Sequence, residues 1–413
     1  MTMPQTRHYE MKDSGVEWIG EIPREWSVKR GKNILHLLSR PILPGDDIVT
    51  CFRDGEVTLR KNRREEGFTN ALVEAGYQGV EPGDLVVHGM DGFAGAIGVS
   101  DSRGKSSPVL NVLDSSENKR FLMYYLRATA LREVFLALST GIRVRSCDLR
   151  WNKLAVLPYI LPPLPEQTAI VAYLDEKCAT IDALVAEAKA TIEEYKAWRA
   201  SVIFEAVTKG LDPNAEMKDS GVEWIGEMPK DWNIVRFKRM HRGSNVGLSL
   251  DKDYWSTNED DTVFYTAGLK SIHTSYKDIE PDMLTKENDL LLARNGTPYV
   301  YFPSIGAIYT DHIIRVGIEN GYNKAFVRYC LQQSIANEVV DTVSIATWSV
   351  PIWNRQCLPH PSLAEQTAIS DYLDSKCAAI DAIIAEKESL IGELEAYKKS
   401  LIFETVTGKR RVC

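Results

Sequence analysis

Two stretches of the chain, beginning near Glu166 and Glu365, carry apolar residues at alternating steps of four and three. This spacing places the apolar side chains on one face of a long helix and is typical of a coiled-coil seam. We therefore expect two long helices that pack antiparallel, weakened by the charged seam positions Arg199, Lys387 and Lys398. The other seam residues are Leu174, Cys178, Ile181, Val185, Ala188, Ile192, Tyr195, Val202 and Ala206, then Leu373, Cys377, Ile380, Ile384, Ile391, Leu394, Leu401 and Thr405.

The regions before the two long helices alternate short β-branched runs with glycine-rich turns, a pattern that predicts strands joined by tight loops. In the first region a strand at Gly83–His88 leads into a glycine-rich loop, and the second region repeats this plan from Asn288–Leu292. An amphipathic helical pattern follows over Phe121–Leu138 and over about Lys324–Val340. Both regions therefore indicate one mixed α/β fold with diverged residues.

The chain contains two internal repeats. Met11–Glu21 returns letter for letter as Met217–Glu227, and Glu166–Thr208 matches Glu365–Thr407 at 25 of 43 positions. The inserts between these repeated frames share little identity. The predicted fold class is mixed α/β, with two similar α/β domains separated by two long antiparallel coiled-coil helices and an internal pseudo-twofold repeat.

Charge is distributed unevenly along the chain. The formal net charge is −8, which argues against a simple basic DNA-binding protein. Segment 22–160 has 20 basic and 16 acidic residues, and segment 228–363 has 14 and 15, so the acidic excess lies in the frames. Nucleic-acid binding by the inserts is compatible with these values but does not follow from them.

Cysteine usage and hydropathy favour a cytoplasmic protein that does not contact a membrane. The seven cysteines are scattered and form no C-x-x-C pair, so they predict neither a disulfide framework nor a zinc site. Cys178 and Cys377 occupy equivalent seam positions, where we expect small buried side chains. No apolar run approaches the roughly 20 residues needed to span a bilayer, and the N-terminal residues lack the pattern of a signal peptide.

A pseudo-twofold object with two different inserts suggests an asymmetric two-part DNA target. Twofold DNA-binding proteins place their reading elements in grooves about one helical turn, roughly 34 Å, apart. Because the inserts differ, the two half-sites should differ, with a spacer of fixed length that we put at about 5 to 8 base pairs.

Several polar loops of the first insert are candidate DNA contacts. The basic cluster from Arg60 can bind phosphates or form a solvated loop balanced by Glu65 and Glu66. The loop that follows His88 can contact bases or be a plain turn. The candidate DNA-binding residues are Arg60, Lys61, Arg63, Arg64, His88, Met90, Asp91, Lys105, Ser106, Arg143 and Arg145.

The second insert carries its candidate residues on the equivalent loop. Asn295 suits adenine and Arg294 suits guanine, whereas we expect Tyr299 and Tyr301 to pack. Trp348 is interpreted as a core residue. The candidate DNA-binding residues are Arg294, Asn295, Thr297, His312 and Thr347.

The frame tryptophans Trp18 and Trp224 allow two interpretations. They can pack the frame onto the long helices, or they can belong to a docking surface for a partner. Identical frames in both halves would bind two copies of one partner.

These repeats resemble the specificity subunits of type I restriction-modification systems. The resemblance is carried by S-G-V-E-W-I-G-E-[IM]-P-x-x-W at Ser14–Trp26 and Ser220–Trp232, by L-P-P-L-P-E-Q at Leu161–Gln167, and by the duplicated helices. It covers nearly the whole chain. The second half departs from it at Pro361–Gln366, where we expect altered local packing.

The resemblance implies two target recognition domains, over 11–164 and 217–363, and two spacer helices, over 165–210 and 364–408. It also implies binding of double-stranded DNA and of two modification subunits that methylate adenine N6, with restriction subunits joining them. S-adenosylmethionine, ATP and Mg would belong to those partners. We expect no catalytic residue, metal site or cofactor in this chain, which lacks the Asn/Asp-Pro-Pro-aromatic motif of adenine methyltransferases.

Two other classes of function stay open at this stage. One is a non-catalytic coiled-coil scaffold whose two ligand-binding domains do not bind DNA, which the acidic net charge favours. The other is an enzyme with an unrecognised active site. The phosphate-loop-like segment Gly98–Ser106 has five residues between its glycines where four are needed, so it does not support a nucleotide site.

Overall fold

The computed structural model of the chain describes residues 10–63, 74–132, 134–137, 149–338 and 346–412. The contacts divide the chain into two compact units. Unit 1 combines the chain up to Lys189 with the segment from Glu388 onward, and unit 2 consists of Ala190–Lys387. Each long helix therefore contributes one part to each unit.

The first half of the chain forms short strands, short helices and one long helix. The strands are β1 (Met11–Asp13), β2 (Glu21–Pro23), β3 (Ser27–Arg30), β4 (Leu35–Leu37), β5 (Val49–Cys51), β6 (Val57–Leu59), β7 (Gln78–Val80), β8 (Leu85–His88), β9 (Ile97–Val99), β10 (Gly104–Ser106), β11 (Leu110–Ser115) and β12 (Pro158–Leu161). The helices are α1 (Lys119–Leu131), α2 (Val134–Ala137), α3 (Trp151–Leu154) and α4 (Leu164–Lys209).

The second half repeats this succession of elements, except that its described residues contain no counterpart of α2. The strands are β13 (Met217–Asp219), β14 (Glu227–Pro229), β15 (Asn233–Arg236), β16 (His241–Val246), β17 (Trp255–Ser256), β18 (Thr262–Tyr265), β19 (Ile272–Thr274), β20 (Asp289–Ala293), β21 (Val300–Tyr301), β22 (Ile308–Tyr309), β23 (Ile313–Ile318) and β24 (Cys357–His360). The helices are α5 (Lys324–Ala336), α6 (Val350–Asn354) and α7 (Leu363–Val406).

The central sheet of each insert has the same antiparallel strand order, β4-β11-β8-β9 in unit 1 and β16-β23-β20-β21 in unit 2. Alternate residues of a strand point to opposite faces, and both faces are covered here. In β8, Leu85 and Val87 share a core with α1, whereas Val86 packs with the β5–β6 hairpin. In β20, Leu290 and Leu292 share a core with α5, and Leu291 packs on the opposite face. The predicted mixed α/β class, with one fold used twice, is confirmed.

The second sheets of the two inserts differ. Unit 1 has the separate pairs β5-β6 and β7-β10, whereas unit 2 has a four-stranded sheet in the order β17-β19-β18-β22. In that sheet β18 and β22 are parallel. The inserts therefore diverge outside a common central sheet.

A buried glutamine fixes the start of each long helix to its insert. The Gln167 Oε1 accepts a hydrogen bond from the backbone N–H of Asn118 at 2.9 Å, and its Nε2 donates to the carbonyl of Pro162. Gln366 makes the equivalent bond to Asn323, also at 2.9 Å, and donates to a proline carbonyl of its own turn. Because Asn118 and Asn323 cap α1 and α5, the glutamine joins two helix starts.

A tryptophan of each frame closes the same junction. The indole N–H groups of Trp26 and Trp232 each donate, at 3.1 Å, to the glutamate in the first turn of the following long helix. The glycines after the long helices, Gly408 and Gly210, have φ of +73° and +74°, the left-handed conformation that ends many helices. A Cβ added to Gly408 would lie 3.2 Å from the Trp26 ring, and one on Gly210 would lie 3.0 Å from the Trp232 ring.

The predicted seam buries most of its apolar positions, whereas Tyr195, Val202, Ile384, Ile391 and Leu394 are only partly buried. In unit 1, the α4 residues Leu174 and Ile181 share a core cluster with Leu401 of α7. Asp182 meets Lys398 and Lys189 meets Glu395, so the two helix segments are antiparallel there. Cys178 and Cys377 are both buried, as predicted, and burial raises the pKa of each thiol.

Two charged seam positions are paired in the structure. Lys398 contacts Asp182 at 2.6 Å in unit 1, and Arg199 contacts Asp381 at 3.0 Å in unit 2. Arg199 and Lys398 occupy equivalent positions of the repeated helices, and so do Asp182 and Asp381. The same ion pair therefore forms once in each unit, with the basic residue on α7 in unit 1 and on α4 in unit 2. Arg199 and Lys398, which we expected to weaken the seam, each have a carboxylate partner on the other helix.

The helix predicted over Phe121–Leu138 is divided in the structure. The α1 helix ends at Leu131, because Arg132 leaves the helical conformation at φ −97° and ψ 15° and its guanidinium lies 3.5 Å from the centre of the Phe403 ring. The short α2 follows. In the second half α5 ends at Ala336, four residues before the predicted Val340, which lies outside the described residues.

Gln366→Leu should lower the free energy of unfolding by about 1–3 kcal/mol, because the N–H of Asn323 and a proline carbonyl would lose their partners inside the protein. Thermal and urea unfolding measure this loss. Glu386→Gln, on the exposed side of the same helix, serves as the control and should change stability by less than about 0.5 kcal/mol. Equal stability of Gln366→Leu and the unchanged chain would contradict the role of the glutamine.

Candidate nucleic-acid interface

A cleft of about 790 Å³ opens in unit 1 beside the β5–β6 hairpin and the loop that follows β8. It brings together the predicted residues Arg60, Arg63, His88 and Asp91. Arg53, which was not predicted, also lines it. The remaining lining residues are Ile48, Val49, Thr50, Cys51, Phe52, Asp54, Tyr77, Ser107 and Leu110.

His88 organises the loop at one wall of the cleft. It is the last residue of β8, and its Nδ1 accepts hydrogen bonds from the backbone N–H groups of Met90 at 3.2 Å and Asp91 at 2.9 Å. Burial lowers the pKa of His88 and Arg53 adds to this effect, while the Asp91 carboxylate opposes it. The imidazole is therefore neutral at neutral pH, with its proton on Nε2. Met90 lies exposed at the tip of the turn.

The basic residues around this cleft form ion pairs with nearby carboxylates. Arg63 contacts Asp54 at 2.6 Å, and Arg53 contacts Asp91 at 2.9 Å. The other pairs are Lys61 with Asp47, and Lys105 with Glu74 at 2.7 Å. The pairs of Arg53 and Lys61 are exposed. Exposed pairs contribute only about 0–1 kcal/mol, so a phosphate could replace the carboxylates of these two pairs at little cost.

Some predicted residues of the first insert do not belong to this surface. Ser106 is fully buried, although its neighbour Lys105 is partly exposed. Arg64, Arg143 and Arg145 lie outside the described residues.

In unit 2, four predicted residues meet at the end of strand β20. Arg294 and Asn295 follow the strand, and the Arg294 N–H donates to the carbonyl of His312 at 2.8 Å. The side-chain Nδ2 of Asn295 lies 2.8 Å from Nδ1 of His312, and the Asn295 backbone forms an antiparallel bridge with Thr347. Thr297, on the same loop, is exposed. The structure therefore gathers residues that are far apart in sequence into one polar patch.

Two buried tryptophans hold the backbone of this loop. The Trp348 N–H donates to the Arg294 carbonyl at 2.6 Å, and its indole N–H donates to the Gly296 carbonyl at 2.7 Å. The indole N–H of Trp353 donates to the carbonyl of Ala293 at 3.1 Å. Trp348 is a core residue, as predicted, and these bonds also fix the loop that presents Arg294 and Asn295.

Arg53 and Trp353 are the residues that the sequence patterns missed. Arg53 lies in the turn of the β5–β6 hairpin, where Gly55 has φ +95°. The dipeptide Asp54-Gly55 is a turn signal that could have pointed to it. Trp353 has no local signal, because its role depends on a contact with Ala293, 60 residues earlier.

The frame tryptophans pack against their own units. The Trp18 ring lies 6.1 Å from that of Tyr125, and the indole N–H of Trp224 donates to the Cys357 carbonyl at 3.1 Å. Both side chains are only partly buried. The packing interpretation therefore has contacts to support it, and part of each indole also faces outward.

Among the residues that the structure describes, no group of three His, Cys, Asp or Glu side chains is arranged to hold a metal ion. No described helix combines the length and apolar character that a membrane span requires.

Comparison with known proteins relates the chain to one class. No protein-family profile matches it. It is 25% identical over 353 residues, 75% of this chain and 76% of the relative, to the type I restriction enzyme MjaVIII specificity subunit of Methanocaldococcus jannaschii. It is 24% identical over 436 residues, 95% of this chain and 96% of the relative, to the MjaX specificity subunit of the same organism, itself a provisional assignment.

Solved structures agree in fold. A structure that describes complex assembly and conformational transition of the type I restriction-modification system matches with a TM-score of 0.70 at 13% identity, over 94% of this chain and 99% of that one. The HsdS subunit from Thermoanaerobacter tengcongensis matches with a TM-score of 0.51 at 14% identity, over 94% and 98%. The chain is thus similar in sequence to type I specificity subunits and shares their fold, and the predicted resemblance is confirmed.

His88 should titrate below its ordinary pKa of 6.5 in the folded chain, because burial disfavours the imidazolium. The unfolded chain then takes up this proton first, so stability should fall as the pH is lowered from 6.5 towards the folded pKa. NMR titration of the His88 ring measures the pKa. His88→Asn keeps an acceptor for the turn and should lose this part of the pH dependence, whereas a His88 pKa above 6.5 would contradict the assignment.

Proposed function

We propose that the chain is the DNA sequence-specificity subunit of a type I restriction-modification complex. The observation that carries the proposal concerns the two inserts, whose central sheets have the same strand order. At the ends of equivalent strands the inserts present different polar side chains. Strand β8 leads to His88 and Asp91, whereas β20 leads to Arg294 and Asn295. Likeness to specificity subunits along 95% of the chain supports it. Each insert, within 11–164 and 217–363, would read one half of an asymmetric bipartite site.

The two long helices are proposed to set the spacer between the half-sites. Both helices are continuous, with 46 residues in α4 and 44 in α7. Apolar seam contacts and the Asp182–Lys398 and Arg199–Asp381 pairs oppose sliding of one helix along the other. A helix pair that resists sliding would hold a spacer to a fixed number of base pairs.

The repeated frames are proposed to recruit two modification subunits. Packing explains the identity of buried frame positions, but Glu17 and Glu21 are exposed, as are their equivalents Glu223 and Glu227. Identity at exposed positions is expected when both frames bind the same partner. The exposed parts of Trp18 and Trp224 would belong to these docking surfaces.

Catalysis is proposed to lie in the partner subunits of a cytoplasmic complex. The modification subunits would bind S-adenosylmethionine and methylate adenine N6, and they would take the target base out of the stack. Restriction subunits would join the complex and use ATP and Mg. This chain would contribute recognition and assembly.

Expression of the chain with its cognate modification subunit should produce methylated adenines in one asymmetric, two-part motif. Exchange of segment 234–360 for the corresponding insert of another specificity subunit should change one half of the motif and leave the other unchanged. Sequencing that detects methylated bases across the genome measures both results.

Deletion of the chain, with the modification subunit kept, is the control and should remove the motif. A complex that is assembled and active but shows no motif would contradict the proposal. If that complex also lacked salt-dependent retention on DNA, a coiled-coil scaffold with two domains that do not bind DNA would be favoured.

The assembled complex should contain two modification subunits for each copy of this chain. Native mass spectrometry measures the stoichiometry. Charge reversal of Glu17 and Glu21 should reduce it to one copy, because only one frame is altered, and reversal of Glu223 and Glu227 should do the same. One partner copy bound to the unchanged chain would refute docking by the repeated frames.

A further inference from the structure

We infer that Asn295, oriented by His312, reads an adenine of the second half-site in the major groove. The inference rests on the proposed DNA-specificity role and assigns a base to one side chain. It assigns His312 as a positioning residue.

The Asn295 backbone is held before any DNA binds. The flanking residues Arg294 and Gly296 use both their N–H and their C=O groups in hydrogen bonds to the 312 and 346–348 segments. Asn295 itself bridges to Thr347. Since the backbone does not have to be ordered on binding, the free energy of a base contact would not be spent on ordering the loop.

The contact with His312 determines how the Asn295 carboxamide can be used. The Asp311 carboxylate, whose Oδ1 lies 3.9 Å from Nε2 of His312, favours the imidazole proton on Nε2. Nδ1 is then the acceptor in the 2.8 Å contact, and the Asn295 amide nitrogen donates to it. One amide hydrogen of Asn295 is used in this bond. Among the described residues no other hydrogen bond to this carboxamide occurs, so Oδ1 and the second N–H remain as a neighbouring acceptor and donor.

Adenine has the complementary pair on its major-groove edge, where N6 donates and N7 accepts. Guanine presents two acceptors, N7 and O6, so that Oδ1 would face an acceptor without a proton between them. Asn295 and His312 are both accessible from outside the protein. The carboxamide therefore selects adenine over guanine by its hydrogen-bond pattern.

His312 prevents the carboxamide from turning over. With the imidazole proton on Nε2, a flipped Asn295 would place Oδ1 against the lone pair of Nδ1, which is also an acceptor. The rotation would also exchange the donor and acceptor presented to the base. His312 thus holds the orientation that matches adenine, and its own carbonyl accepts from the Arg294 N–H at 2.8 Å.

The test measures methylation rates by the complete complex on duplexes that vary each position of the second half-site. The unchanged complex should show one position at which replacing A·T lowers kcat/KM by about 10- to 100-fold. Asn295→Ala should reduce this preference to less than about threefold at that position alone. Discrimination within the first half-site should not change, which shows that the complex is folded and active.

Three further variants separate base reading from a general structural role. Asn295→Asp should move the preference at this position towards cytosine, because a carboxylate accepts from cytosine N4. His312→Ala should weaken the adenine preference, and His312→Gln should restore most of it, because the Gln Oε1 can accept from Asn295. A merely structural contact would not produce a change of base or a rescue confined to one position.

The outcomes distinguish this inference from the proposed function. If both half-sites are still read while Asn295→Ala and Asn295→Asp leave every preference unchanged, the inference is wrong and the DNA-specificity role stands. If the unchanged complex shows no sequence preference, the proposed function itself fails, and the assignment of Asn295 with it.

Discussion

Each unit depends on a polar junction buried at the start of its long helix, where one glutamine carboxamide satisfies two backbone groups at once. Gln167 and Gln366 are almost completely inaccessible, at 0% and 1% exposure, so neither side chain can exchange its partners for water. An unpaired buried donor or acceptor costs about 1–3 kcal/mol. The insert, the proline-rich turn and the helix are thereby held in one geometry, and the adjacent indoles of Trp26 and Trp232 tie in the frame.

This junction explains how the inserts can diverge while the frames stay alike. The frame residues make repeated, specific polar contacts, whereas the central sheets need only apolar residues of suitable size on both faces. In the loops at the strand ends the backbone is held by hydrogen bonds, but side chains such as Met90 and Thr297 are exposed and carry neither constraint. The two inserts can therefore differ at exposed loop side chains with little effect on folding.

The long helices, the repeat and the fold class could be predicted because their signals are periodic and extend over many residues. The cluster of Asn295, His312 and Thr347 could not, since it depends on strand register and on contacts between distant segments. Ser106 illustrates the same limit, because nothing in its neighbourhood indicates that it is buried beside the partly exposed Lys105. The Asp54-Gly55 turn signal could have pointed to Arg53, but the sequence does not show that this turn lies beside His88 and Asp91.

Unit 1 is assembled from two separate segments of the chain, and this determines the order in which the protein can fold on the ribosome. The Nζ of Lys409 donates to the carbonyl of Ile19, a contact across 390 residues, and Phe403 and Val406 complete the core of the first insert. Unit 2 is continuous in sequence and can close as soon as Lys387 has emerged. Folding of unit 1 cannot be completed before the segment from Glu388 has been synthesised. Until then the apolar seam of α4 in this unit is exposed to solvent. The part of the protein that is synthesised first is therefore the last to be completed, and during that interval it is the part most exposed to aggregation.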